Sequence, residues 1–187
     1  MKRFGLVAAL LSVVLMAAAC GRSSSTAATT TTAPAGGATT TTAATGSGPG
    51  DFGTLKKVCG PGNPSGSPDT GVTPTSINVA TSADPGFTGR LGLDQELFDA
   101  GEVFTKWCNA AGGINGRKII LNEQDAKLFN FDAVIKQICP TAFFFVGSGN
   151  VFDNDPGQKD RLACLLPQIP GYVVTSNARD ADLSIQP

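Results

Sequence analysis

From residue 71 onward, apolar positions alternate between a strand-like and a helix-like spacing. Ile77-Asn78-Val79-Ala80 reads as a short strand. Leu93, Leu97, Ala100, Phe104, Trp107 and Ala111 then recur at steps of three and four, the buried stripe of an amphipathic helix. Gly112-Gly113 end that helix, Asn115-Gly116 turn the chain, and Arg117 to Leu121 form a second strand. Phe131, Val134, Ile135 and Ile138 mark a second helix, stopped by Pro140. Ala142 to Val146, with three consecutive phenylalanines, reads as a buried central strand. Asp155-Pro156-Gly157-Gln158 has the form of a helix start: Asp155 as cap, Pro156 at the first position, and Gln three residues after the cap. Leu162, Leu165 and Leu166 form the buried side of this third helix, and Tyr172 to Thr175 a fourth strand. Strands alternating with helices at this spacing predict an α/β fold, a doubly wound parallel sheet covered on both faces.

The first fifty residues obey neither period. Met1-Lys2-Arg3 is a positive start, and Phe4 to Ala19 follows without a charge. That stretch falls short of the roughly 20 apolar residues that span a bilayer as a helix. It has the anatomy of an export signal, a charged region followed by an apolar region and small residues. Ala17-Ala18-Ala19-Cys20 resembles a bacterial lipobox, which makes residues 1–19 a lipoprotein signal peptide and Cys20 the lipidated first residue of the mature chain. The alternative is an ordinary signal cut that leaves Cys20 as a spare thiol. Several acyl chains, palmitate among them, at about 0.8 kcal/mol per buried methylene would anchor the protein to the outer face of the bacterial cell membrane. Gly21 to Gly50 contains ten Thr, seven Ala, six Gly and four Ser. Such a composition cannot build a core, so residues 20–50 are expected to form a disordered tether with an r.m.s. span of about 30 Å.

Composition narrows the chemistry. The chain of 187 residues has 14 Lys+Arg against 15 Asp+Glu, a formal charge of −1. Residues 51–187, the globular unit, carry eleven Lys+Arg and fifteen Asp+Glu, a net −4. This is not the basic footprint of a nucleic-acid partner. Histidine is absent, which removes His-ligated metal, Ser-His-Asp and Cys-His chemistry. Asp153 and Asp155 read as a loop acid and a helix cap rather than a catalytic pair. No enzyme activity, metal or cofactor is expected. Apart from Cys20, four cysteines remain at 59, 108, 139 and 164. An even number in an exported chain implies two disulfides, with three possible connectivities. The rival, a four-thiolate metal site, would ordinarily show a CxxC knuckle, and none is present.

Two segments carry a resemblance. Gly71-Val72-Thr73-Pro74-Thr75-Ser76-Ile77-Asn78-Val79-Ala80 leads into the first strand. Asn109-Ala110-Ala111-Gly112-Gly113-Ile114-Asn115-Gly116-Arg117-Lys118-Ile119 closes the first helix and opens the second strand. In this order, behind a lipoprotein signal and a Thr-rich tether, they resemble the start of the type I periplasmic binding proteins of the branched-chain amino-acid (Leu/Ile/Val) class. The resemblance covers about residues 71 to 177. It implies a receptor whose two lobes close on a small polar, amino-acid-like solute and hand it to the permease subunits of an ABC importer. Residues 51–187 would supply part of the first lobe, with strand order 2-1-3-4. The length is that of a fragment, a truncated product or a half-receptor, and predicts exposed apolar surface where further elements would pack. The alternative is a relic or interaction module of the same fold that binds no solute.

Ligands of open α/β sheets sit beyond the carboxyl ends of the strands. Three loops occupy that position: residues 82–89 after the first strand, 147–150 after the third and 175–177 after the fourth. Their hydroxyls and backbone amides suit a carboxylate. The resemblance implies that the loops after strands three and four hold the ligand's carboxylate and ammonium, roles that fall to Ser148, Gly149, Asn150, Thr175 and Ser176, with Asp84 and Phe87 at the rim. The bland reading of the same residues is turn chemistry. With strand order 2-1-3-4 and right-handed crossovers, the first helix covers one face and the second and third cover the other. Cys139 and Cys164 then lie together at the ends of the second and third helices, and Cys59 reaches Cys108. The expected bridges are Cys59–Cys108 and Cys139–Cys164, both at the end of the sheet away from the ligand loops.

Overall fold

The computed structural model describes residues 48–186. The signal peptide, Cys20 and the tether up to residue 47 lie outside the described residues. The elements run β1 (Ser76–Ala83), α1 (Gln95–Ala111), β2 (Lys118–Asp125), α2 (Phe131–Ile138), β3 (Phe144–Val146), α3 (Asp155–Ala163), β4 (Gln168–Ile169) and α4 (Ser176–Arg179). All strand pairs are parallel, in the order β2-β1-β3-β4. The longest pairing runs from Ser76 opposite Lys118 to Ala83 opposite Asp125. Past β4 the chain returns to the same edge. Gln168 N–H donates to Leu183 O at 2.9 Å and Ile185 N–H donates to Gln168 O at 3.0 Å, which aligns Ser184 parallel to β4.

Alternation along the strands sorts side chains between two faces. Ala80 and Phe145 point toward α2 and join Phe131, Val134, Ile135, Ile138, Ala142 and Leu166 in the main core. Val79 and Ile119 point the other way, toward a smaller cluster with Cys59, Cys108, Trp107 and Ala111. Each face carries one disulfide, Cys59–Cys108 beneath α1 and Cys139–Cys164 joining the ends of α2 and α3. All four described cysteines are thereby oxidised, and a four-thiolate metal site is excluded. A glycine starts the disulfide-linked segment: Cys59 N–H donates to Gly50 O at 3.1 Å, so the last residues of the expected tether are seated in the fold.

Three local expectations need correction. The fourth strand lies at Gln168–Ile169, not at Tyr172–Thr175. Although Tyr-Val-Val favours strand, its amides have other partners: Val174 and Thr175 N–H donate to the Asp153 carboxylate at 2.9 and 2.8 Å. Thr175 then caps α4, accepting from Ala178 N–H at 3.2 Å. In α3 the cap is Asn154, which accepts from Gly157 N–H at 3.3 Å, so Asp155 begins the helix instead of capping it. The buried side of α3 is also different. Leu165 is 74% exposed and Leu166 is buried but beyond the helix, while Arg161 and Gln158 face inward. Arg161 is completely buried. It donates to Gln158 Oε1 (2.9 Å), to Leu166 O (2.7 Å) and to Asp182 O (2.7 Å), carbonyls that an apolar side chain would leave unpaired.

The predicted stripe of α1 is half-buried, for a topological reason. Because α1 packs on β1 and β2, the same face of β3 and β4 has no helix over it among the described residues. There the stripe residues Leu97, Ala100 and Phe104 border an apolar groove of about 570 Å³, floored by Val79, Phe144, Val146 and Ile169. Trp107 stands further along, half-buried, with its ring 5.8 Å from Phe52 and 5.4 Å from Phe104.

Candidate functional site

The carboxyl ends of the four strands open into four loops: Asp84–Asp94, Ala126–Asn130, Gly147–Asn154 and Pro170–Thr175. Two buried aspartates tie these loops together. Asp84 accepts from Leu128 N–H (2.7 Å), Val151 N–H (3.0 Å) and Asn150 Nδ2 (3.4 Å), so one carboxylate links the loops after β1, β2 and β3. Asp153 links the loop after β3 to the one after β4 through Val174 and Thr175. Its carbonyl also accepts the Thr175 hydroxyl at 2.9 Å. Charge-assisted bonds to backbone amides are the strong class, and a carboxylate with no exposure is held in place by several of them.

The loop after β3 is the hub. Gly149 N–H donates to Ser82 O at 2.9 Å, and Ser148 O accepts from Gly171 N–H at 2.8 Å. At Gly149 the approach is too close for any side chain. A Cβ there would lie 2.2 Å from the Tyr172 ring and 2.7 Å from Leu97. Tyr172 reaches over the hub and donates its hydroxyl to Asp94 Oδ2 at 2.5 Å. Burial first, then this bond to a carboxylate, holds the phenol pKa far above its ordinary value.

The site residues expected from the sequence fall into three environments. Ser148, Gly149, Asn150 and Asp84 are buried at the hub. Thr175 is half-buried at the α4 cap, and Ser176 is exposed on α4 itself. Phe87 is half-buried and belongs to an aromatic row. Its ring meets Phe129 edge-to-face at 6.3 Å, and Phe129 stacks on Phe152 at 5.3 Å with 20° between planes. The loops after β1, β2 and β3 thus contribute one phenylalanine each. Phe129 is 63% exposed and Phe152 43%. Both escape sequence reasoning, because Phe129 merges into the start of α2 and Phe152 into a run of turn residues. Their signal is the pair of non-glycine residues Lys127 and Leu128, which precede Phe129 with positive φ of 47° and 77°. Backbone held in that region marks a constrained loop. Here Asp125 accepts Lys127 N–H at 2.9 Å and Asp84 accepts Leu128 N–H.

Polar capacity remains at the hub. Asn150 Oδ1 and Ser82 Oγ are buried without a hydrogen-bond partner. Among the described residues, no group of three or more His, Cys, Asp or Glu is placed to hold a metal ion. The arrangement is a set of cross-braced loops with a stacked aromatic surface.

No family model matches the sequence, and no curated protein matches it. Among solved structures, the chain is similar to a fatty acid ABC transporter substrate-binding protein from Thermomonospora curvata. The identity is 18% and the TM-score 0.42, over 54% of this chain and 26% of that one. The chain therefore aligns with about a quarter of that protein's length.

Proposed function

We propose that this chain is the solute-binding component, or the first-lobe part of it, of an ABC-type importer, carried to the outer face of a bacterial membrane by its signal peptide and anchored there through a lipid on Cys20. The solute is an amino acid or a similar small polar molecule. Binding requires no cofactor and makes no bond. The single observation that carries the reading is the convergence of all four rim loops through Asp84 and Asp153 at the carboxyl end of a parallel sheet, where ligands of such sheets sit. The sequence segments 71–80 and 109–119, behind a lipoprotein-like signal, point the same way. In the full mechanism, a solute held between two lobes favours the closed form by its differential affinity.

A thermal-shift screen of the full chain against amino acids and small amides tests the proposal. A solute at about 100 times its dissociation constant adds about 2.7 kcal/mol of apparent stability. A folded chain that shows no shift with any of them overturns it.

The apolar groove beside α1 favours a second reading, an interaction module whose partner covers that groove. Self-association or partner capture that blocks the groove, with no solute response, would favour it.

A further inference from the structure

Resting on that solute-binding reading, we infer that among small solutes the rim favours one that joins a flat, apolar body to a carboxylate, such as an aryl-substituted acid. Three observations carry this. First, the aromatic row is contributed by three separate loops at the ligand end of the sheet, and two of its members, Phe129 and Phe152, stand open to solvent. Scattered exposed phenylalanines need no explanation, but a stacked row across converging loops forms a continuous apolar surface. A planar group extends such a stack at low cost, since offset aromatic pairs at these spacings gain energy beyond the area they bury.

Second, the backbone is held to present the row. Lys127 and Leu128 lie in the left-handed region in succession, at a cost that the Asp125 and Asp84 carboxylates offset by accepting their amides. The next residue is Phe129, the most exposed ring of the row.

Third, two cations near members of the row in the chain are left without an ion pair among the described residues. The nearby acids already accept bonds from the protein: Asp84 and Asp125 from backbone amides, Asp94 from Tyr172. By contrast Arg90, in the turn that starts at Phe87, and Lys127 form no ion pair among the described residues. A carboxylate on the solute would give these cations a charge-assisted partner.

Phenylacetate, phenylacetamide and L-leucine serve as probes, with binding to the full chain read by calorimetry and ligand-observed NMR. Phenylacetate is expected to bind. F129A/F152A should weaken it about tenfold, the loss of two aromatic contacts, with a cooperative melting transition retained because neither ring belongs to the buried core. F129L/F152L should restore only part of the affinity. R90A/K127A should erase the preference for phenylacetate over phenylacetamide. Wild-type affinity of F129A/F152A for phenylacetate overturns the inference. So does binding of L-leucine without phenylacetate, which leaves the solute-binding reading intact. Failure of every probe and of the wider amino-acid screen, with the chain folded, overturns both. Sedimentation with phosphatidylglycerol vesicles that depends on Phe129 and Phe152, without phenylacetate binding, would assign the row to a lipid surface instead.

Discussion

Tyr172 donates its hydroxyl to Asp94 Oδ2 at 2.5 Å, across 78 residues of sequence. Asp94 is the N-cap residue of α1, yet its side chain does not cap the helix, and its backbone is left-handed with φ of 59°. The carboxylate instead fastens the loop beyond β4 to the start of α1, directly over Gly149. Tyr172 is the one tyrosine of the chain, so its titration can be read by ultraviolet difference spectroscopy without interference. Its folded pKa lies above the unfolded value near 10. The folded chain therefore keeps a proton that the unfolded chain loses. Stability is full below about pH 10 and declines as pH rises further. Y172F should remove this part of the alkaline decline, and a normal phenol titration in the native chain would refute the prediction.

Replacing Asp84 by Asn should destabilise the fold by about 3 kcal/mol, through buried amides that lose a charged acceptor. An asparagine supplies one acceptor oxygen and sets its own N–H₂ against donors from Leu128, Val151 or Asn150. Urea unfolding at neutral pH measures the loss. A value within about 0.5 kcal/mol of wild type, the range of ordinary surface changes, would show that the carboxylate does not brace the loops.

Glu123, on β2, has its pKa raised by burial and by the neighbouring carboxylates of Glu102 and Asp99, and its Oε1 is buried without a partner. A raised acid pKa makes the folded state most favourable at low pH, where the group is neutral, and costs stability once it ionises. E123Q should accordingly melt at a higher temperature than wild type at pH 7. The difference should shrink as pH falls toward the ordinary glutamate pKa and be gone below it. An equal melting temperature at pH 7 would contradict this.

The groove of about 570 Å³ floored by Phe144, Val146 and Ile169 should bind an apolar dye such as anilinonaphthalene sulfonate in the native state. V146S/I169S should dim that fluorescence without abolishing the melting transition, since both residues are half-buried. Undiminished dye fluorescence in the variant would place the dye elsewhere.

Spacing along the chain was enough to indicate the order of strands and helices, because Ile77–Ala80 is a short, mostly apolar run and the 131–138 stripe has one period and one buried face. The helix ends placed Cys139 beside Cys164, and the crossovers brought Cys59 to Cys108. What local pattern did not reveal were cases in which a distant side chain overrides it. Asp153 takes the amides of Val174 and Thr175 and turns a strand-like run into a loop. Arg161 turns inward because carbonyls of residues 166 and 182 need donors, where apolar spacing would place leucines. At the rim, turn residues are visible in the sequence, but the stacking of Phe129 on Phe152 depends on where Asp84 anchors two loops that are far apart in the chain.

Both disulfides sit where α1, α2 and α3 end, below the amino ends of the strands, while the opposite end is held by hydrogen bonds and aromatic contacts, with no disulfide among the described residues. Mechanical stiffness therefore grades along the strand axis. The loops around Asp84 and Asp153 can shift by exchanging individual bonds of about 1–3 kcal/mol each, within reach of a small visitor's binding energy, and the clamped base keeps its shape while they do.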